Sequence, residues 1–493
     1  MLKPIQDSIK KARGCARTAR LRLFTGTLAA LLANLASSGV CSAAVGLQGL
    51  QMSGAGTNGA GLIWSSLSST NAYTVQTRDS VTEGVWAPAP STQPWPIAET
   101  NWSDPRPASN QSRFYRVLGV TAPQRGRLLK VTLQTTLTAA QVTFYLSQAG
   151  YQTTVPYGAV VRKLDYETVN PDGGKILASG LLVVPPGLAK ALPLVCYQHG
   201  TIVQTNQVPS STLYGEAIVG LGYAGTGYAA VLPDYLGLGD SPGYHPYVHA
   251  RTEATAAIDL LRAARTWCAT NSIALNGQLF LLGYSQGGHA AMSLHREIET
   301  FHTNEFTITA SAPMAGPYDL SGATTADFLS TRVMPNPYYF AFLLKAYQTV
   351  YQVSSSFSNL LQAPYATTVP PLMDGGHTSA QINAALPSVP FQILKPDQIA
   401  AFRTNVVGHP LRAALRDNDL FDWTPHAPMR LYHCHADQDV LALNSTNALN
   451  RFWARGATQV QLIDPAPAIN YGHSDGAVPC LSLGKTWFDS LKK

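Results

Sequence analysis

A chain of 493 residues with 45% hydrophobic and only 13% charged residues has room for two or three domains and is too apolar for a disordered one. Its formal charge of +6 sits at the front: residues 1–44 hold seven of the 34 Lys and Arg and one of the 28 Asp and Glu, which leaves 27 of each sign. A neutral remainder removes the electrostatic case for nucleic acid or an anionic membrane as partner.

Lys10, Lys11, Arg13, Arg17, Arg20 and Arg22 form a basic stretch ahead of an apolar run over 23–35, and the small residues Ser42-Ala43-Ala44 follow. This is the pattern of an export signal, spanning 1–44 and cleaved near Ala43 or Ala44. The run is interrupted by Asn34 and short for a membrane span. The mature chain is therefore expected to be secreted or periplasmic, with no integral membrane segment. Val40 before Cys41 fits a lipoprotein signal poorly. Once Cys15 and Cys41 leave with the signal, Cys196, Cys268, Cys434 and Cys480 remain, which permits two disulfides in three pairings. Cys434 with Cys480 is the expected pair, because they lie close in sequence to Asp437 and His473, which are singled out below. Buried free thiols are the alternative, since Cys196 lies in an apolar strand where cysteine behaves as a small hydrophobe.

Residues 45–120 have no helical periodicity, many Gly, Pro, Ser and Thr, short alternating stretches such as Phe114-Tyr115-Arg116-Val117, and four tryptophans, Trp64, Trp86, Trp95 and Trp102. A small antiparallel β-sandwich-like module with an aromatic core is predicted. It is similar to the fibronectin-like accessory modules of secreted bacterial enzymes, and exposed tryptophans would let it contact a polymer. Residues 121–150 are expected to be a junction of β-like segments. From about 151 to 493 strands alternate with helices, which predicts a mostly parallel sheet with helices on both faces. Strands are expected at 160–169, 176–184, 194–197 and 228–232, a helix capped by Thr252 over 252–269, then strands at 307–312, 429–433 and 459–463 and a terminal helix over 479–491. Residues 316–426, too long for a plain loop and rich in large apolar residues, are predicted to be a mainly helical cap or lid.

The most telling stretch is Gly283-Tyr284-Ser285-Gln286-Gly287, between an apolar strand-like run and a helical pattern of Ala290, Ala291, Leu294 and Ile298. A serine between glycines on a strand-to-helix turn is the nucleophile elbow. It exposes the Ser285 hydroxyl and aims the helix N-terminus at the reacting centre, where the N–H of Gln286 can stabilise an oxyanion. Such a serine needs a base and an acid, in the order Ser, acid, His. Only His473 among the twelve histidines lies beyond the strand at 429–433 and its loop, so it is the candidate base. The acid is Asp437 or Asp439, from His435-Ala436-Asp437-Gln438-Asp439-Val440. The second oxyanion donor belongs to the loop after the strand at 194–197, where Thr201 of His199-Gly200-Thr201 is the candidate.

The stretch from His433 resembles the His-Gly-x-x-Asp-x-x-Val-Pro pattern of α/β-hydrolases, which favours Asp437 over Asp439, although Cys434 and Leu441 depart from its glycine and proline. Together with Pro233-Asp234-Tyr235-Leu236-Gly237-Leu238-Gly239 and His245-Pro246-Tyr247, these motifs make residues 150–493 similar to the secretory lipase family of α/β-hydrolases, the fungal lipase-A type and its bacterial relatives. The resemblance implies the α/β-hydrolase fold, a helical lid, and hydrolysis of small-molecule or lipid-like carboxylic esters through an acyl-enzyme. A secreted serine peptidase of the same fold is the first alternative, and a non-catalytic binding protein on that scaffold the second. No cofactor or metal is expected: His433 and His435 alone are weak as a zinc pair, and no glycine-rich phosphate loop follows a strand.

Overall fold

The computed structural model describes residues 47–56, 59–66, 71–79, 85–106, 113–404 and 408–493. The expected export signal, with Cys15 and Cys41, lies outside the described residues. The chain divides into two compact units, one running to Pro123 with Val169–Lys175 added, the other formed by Gln124–Thr168 and Ile176–Lys493.

The first unit is built from β1 (Leu47–Gly56), β2 (Gly59–Ser66), β3 (Asn71–Arg78), β4 (Ala87–Pro88), β5 (Asn101–Ser103) and β6 (Phe114–Thr121). They pair antiparallel in two three-stranded sheets, β1-β2-β5 and β4-β3-β6. Aromatic residues fill its core: Trp64 packs edge-on against Tyr73 at 5.1 Å between ring centroids, and Trp102 lies 5.4 Å from Tyr115. Trp95, also buried, donates its indole N–H to Thr74 Oγ1 at 2.8 Å. Trp86 is half-buried beside the guanidinium groups of Arg78 and Arg116, 5.0 and 4.8 Å from its centroid. Trp64, Trp95 and Trp102 are thus core residues and Trp86 is half-buried, so no exposed tryptophan is left for polymer contact.

In the second unit nine strands form one sheet: β7 (Leu128–Leu137), β8 (Ala159–Val169), β9 (Lys175–Val184), β10 (Leu192–Gln198), β11 (Ala229–Pro233), β12 (Leu275–Tyr284), β13 (Ile308–Met314), β14 (Met429–Tyr432) and β15 (Val460–Ile463), in the order β15-β14-β13-β12-β10-β11-β9-β8-β7. From β11 through β10, β12, β13 and β14 to β15 the pairing is parallel, while β9 runs antiparallel to β11 and β7 to β8. The helices are α1 (Ala139–Gln148), α2 (Ala217–Gly225), α3 (Ala250–Thr270), α4 (Gln286–Phe301), α5 (Thr325–Phe328), α6 (Tyr338–Tyr351), α7 (Tyr365–Thr368), α8 (Ser379–Ala384), α9 (Pro396–Thr404), α10 (Pro410–Asp417), α11 (Leu443–Ala454) and α12 (His473–Leu491). Alternate residues of the central strands serve opposite faces. Val195, Tyr197, Phe280 and Leu282 pack with α1, α2 and α12, whereas Leu194, Cys196, Leu279 and Leu281 pack with α3 and α4. A strand buried on both faces reads as one apolar run, which is why these strands are visible in the sequence. α5 to α10 all fall between β13 and β14.

Four expectations are corrected. Residues 121–150 are not merely a junction: β7 is the edge of the large sheet, and α1 follows with a capping box in which Thr138 Oγ1 accepts from the Gln141 N–H and Gln141 Oε1 from the Thr138 N–H. α3 starts two residues early, with His249 rather than Thr252 in the capping position. α12 starts at His473 with Pro479 inside it, where the ring removes one helical hydrogen bond and crowds the carbonyl four residues earlier. Cys196, Cys268, Cys434 and Cys480 are all buried free thiols.

Candidate active site

β12 ends at Tyr284 and α4 begins at Gln286, so Ser285 alone makes the turn, with φ 62° and ψ −123°. That conformation is strained for a residue with a side chain. Close backbone packing holds it. A Cβ added to Gly287 would lie 2.0 Å from Gln198 O, one on Gly283 2.2 Å from Gly287 O, and one on Gly288 2.2 Å from Met314 O. The first turn of α4 therefore rests directly on the ends of β10 and β13, and Ser285 N–H donates to Met314 O at 2.9 Å.

His473, the first residue of α12, reaches both partners: its Nε2 is 2.8 Å from Ser285 Oγ and its Nδ1 is 2.6 Å from Asp437 Oδ2. Asp437 lies in the loop between β14 and α11, and its Oδ1 accepts the N–H groups of Asp439 at 3.0 Å and Val440 at 2.9 Å. His433 Nε2 lies 3.3 Å from Oδ2. Burial alone would raise the Asp437 carboxyl, but hydrogen bonds from His433 and His473 outweigh it and hold the group well below the usual carboxylate range. For His473, burial disfavours the charged ring, yet the hydrogen bond and charge of Asp437 prevail and raise it above its ordinary value. Asp439 does not bond His473; its Oδ2 accepts from Asn336 Nδ2 at 2.9 Å. The structure thus brings Ser285, His473 and Asp437 together and sets Asp439 on a different partner.

The loop with His199, Gly200 and Thr201 lies against the elbow: a Cβ on Gly200 would be 3.9 Å from Ser285 Cβ. Thr201 Oγ1 is tied to Tyr247 Oη at 2.9 Å. Gln286 is held from beneath by His245, of a motif quoted above, and by Glu253, which the sequence did not single out. Its side-chain Nε2 donates to His245 Nε2 at 2.8 Å and Glu253 Oε1 at 3.0 Å. His245 Nδ1 donates to Leu236 O at 2.8 Å, and burial pushes this ring down to about 4, so it is neutral with Nε2 free to accept. Glu253 Oε2 lies 2.7 Å from His289 Nδ1, and His289 Nε2 lies 3.0 Å from Asn418 O. A carbonyl only accepts, so His289 Nε2 carries a proton, and one further proton lies between His289 and Glu253. Glu253, His289, His245 and Gln286 are at most 2% exposed.

Other motif residues hold loops. Asp234 Oδ2 accepts the hydroxyls of Ser179 and Ser210, and His435 bonds Asp464 Oδ2 at 2.6 Å and Asn470 Oδ1 at 2.9 Å. Beside Ser285 a pocket is lined by Tyr247, Val248, Leu320, Asp327, Phe328, Tyr339, Leu343, Asp439, Val440 and Leu441. Tyr247, Asp439, Val440 and Leu441 lie within motifs named above; no short-range pattern marks the others.

Residues 207–301 match the family model described as "Secretory lipase". The chain superposes on the rice cell wall degrading esterase LipA of Xanthomonas oryzae with a TM-score of 0.64 and 30% identity, over 74% of this chain and 96% of that one. It belongs to the secretory lipase family of α/β-hydrolases. A Legionella pneumophila structure matches with a TM-score of 0.68 and 28% identity over 74% of this chain and 98% of that one. Lipase A of Candida antarctica, at 17% identity with a TM-score of 0.55 over 75% of this chain and 83% of that one, shares the fold. No curated protein sequence matches significantly. This secretory lipase relative has the α/β-hydrolase fold expected from its motifs, and it is an ester hydrolase of the lipase and esterase class. Among its described residues no helix is long and apolar enough to cross a membrane.

Proposed function

We propose that the chain is an exported serine hydrolase of carboxylic esters. What carries the reading is the hydrogen-bonded series from Ser285 Oγ through His473 to Asp437, at 2.8 and 2.6 Å. Ser285 Oγ attacks the ester carbonyl while His473 Nε2 takes its proton and Asp437 holds the imidazolium. The N–H groups of Gln286 and Thr201 receive the oxyanion. His473 then protonates the departing alcohol, and a water activated by the same ring cleaves the acyl-enzyme. The helical segment between β13 and β14 acts as the cap over this chemistry, and the β unit at 45–120 is an accessory module.

The test is a pair of substrate sets. Purified protein is expected to hydrolyse p-nitrophenyl esters, to leave amino-acid p-nitroanilides intact, and to be labelled by a fluorophosphonate at Ser285. Faster cleavage of the anilides would make it a peptidase, and absence of labelling would remove the nucleophile. Export rests on the residue pattern of 1–44 and is checked by the N-terminus of the protein recovered outside the cytoplasm, expected near residue 44.

A further inference from the structure

Alternate residues of one short segment between β11 and α3 bond the side chains of both residues proposed to receive the oxyanion. His245 Nε2 accepts from Gln286 Nε2 at 2.8 Å, and Tyr247 Oη lies 2.9 Å from Thr201 Oγ1. The segment is buried and fixed from several sides. Tyr247 N–H donates to His245 O at 2.9 Å and His249 N–H to Pro246 O at 3.1 Å. Val248 has φ 54°, a left-handed conformation that a β-branched residue keeps only where its surroundings enforce it. The enforcement comes from α6 in the insertion. Tyr347 Oη donates to Val248 O at 3.0 Å, and the Phe342 ring lies 4.8 Å from that of Tyr247 and 6.0 Å from that of His245. Gln286 follows β12 and Thr201 follows β10, so their side chains come from separate strand ends and meet on this one rigid segment.

We infer that Tyr247 is a positioning residue for the oxyanion site: its hydroxyl, bonded to Thr201 Oγ1, holds the Thr201 main chain where its N–H meets the oxyanion together with that of Gln286. Tyr247 acts through the Thr201 hydroxyl and does not touch the reacting atoms. The inference rests on the proposed serine mechanism, which alone gives Thr201 an oxyanion to receive. That charge develops only after attack on the carbonyl, so aligning its donor raises kcat and leaves substrate binding unchanged.

The experiment is a double-mutant cycle on a p-nitrophenyl ester. Tyr247→Phe keeps the ring beside Phe342, and Thr201→Val keeps the Thr201 N–H. Tyr247→Phe is expected to lower kcat by about 10-fold or more with KM within about 2-fold, less than the roughly 10²–10³-fold cost of losing an oxyanion donor outright. Because the two hydroxyls form one tie, Thr201→Val should show a similar loss, and the double variant should lie within about 2-fold of either single one. Thr201→Ser retains the hydroxyl and should keep kcat within about 3-fold of the wild type. Complete labelling by a fluorophosphonate shows that Ser285 and His473 are still assembled in each variant. Should Tyr247→Phe not fold, Thr201→Val against Thr201→Ser tests the same tie from its other end. Wild-type kcat in Tyr247→Phe, losses that multiply in the double variant, or a raised KM at unchanged kcat each overturn the inference. So does a loss in Tyr247→Phe with Thr201→Val unimpaired, since Tyr247 would then serve the oxyanion directly. A wild type that hydrolyses no ester sinks the proposed function itself, a result distinct from altered kcat among active variants.

Discussion

Asp437 and Asp439 are two residues apart on one loop, yet their surroundings give them different work. Asp437 faces four donors and is held ionised. Burial pushes the Asp439 carboxyl upward, and one donor holds it. With the proposed roles, Ser285→Ala or His473→Ala lowers kcat by roughly 10³-fold or more, because the three groups act as a unit. Retention of most activity by either folded variant contradicts the assignment. His473 must be neutral to accept the serine proton, so activity is lost as pH falls through its raised value. The acid limb of kcat/KM should therefore lie above the ordinary 6.5. In Asp437→Asn the largest raising group is gone while burial remains, so the limb of whatever activity survives should move down. A pH–rate profile in which that limb stays put would show that Asp437 does not set the base.

At the level of elements, the elbow depends on two supports, one steric and one polar. The steric support is the glycine set that lets the first turn of α4 rest on β10 and β13. The polar support links α3 and α4 through Glu253, Gln286 and His289. Glu253→Ala would leave His289 and Gln286 without their buried acceptor, and removing one partner of such a pair costs about 3–5 kcal/mol. Urea denaturation of this variant is expected to show a loss of that size. A change below about 1 kcal/mol, the worth of an exposed pair, would mean that solvent reaches the network. The same scale accounts for α1, whose Thr138 and Gln141 are a sequence-level start signal inside a stretch otherwise read as β-like.

In the molecule as a whole, the acid loop and the insertion between β13 and β14 share one pocket wall. Leu320, Phe328 and Leu343 come from the insertion, and Val440 and Leu441 from the loop. Each methylene buried against such a wall contributes about 0.8 kcal/mol, so kcat/KM on p-nitrophenyl esters should rise several-fold per two carbons until the pocket is full. A steady fall from acetate upward would make the insertion a barrier instead, and the protein a small-acyl esterase.

Features encoded within a few consecutive residues, or by their order along the chain, were legible in the sequence alone. The elbow at 283–288 is contiguous because the turn, the exposed hydroxyl and the close packing are properties of one local backbone path. His473 follows from chain order, since no other histidine lies beyond the loop after β14. The sheet is legible because strands buried on both faces must be continuously apolar. The tertiary structure decided everything that depends on which distant groups meet. It turned Asp437 toward His473 and Asp439 toward Asn336, a choice made by a loop whose two amides cap Asp437 Oδ1. It brought Glu253 under Gln286 from a helix 33 positions earlier and assembled the pocket from separated segments. Contacts of that kind leave no periodicity behind, because each partner's own neighbours in the chain are free to be anything.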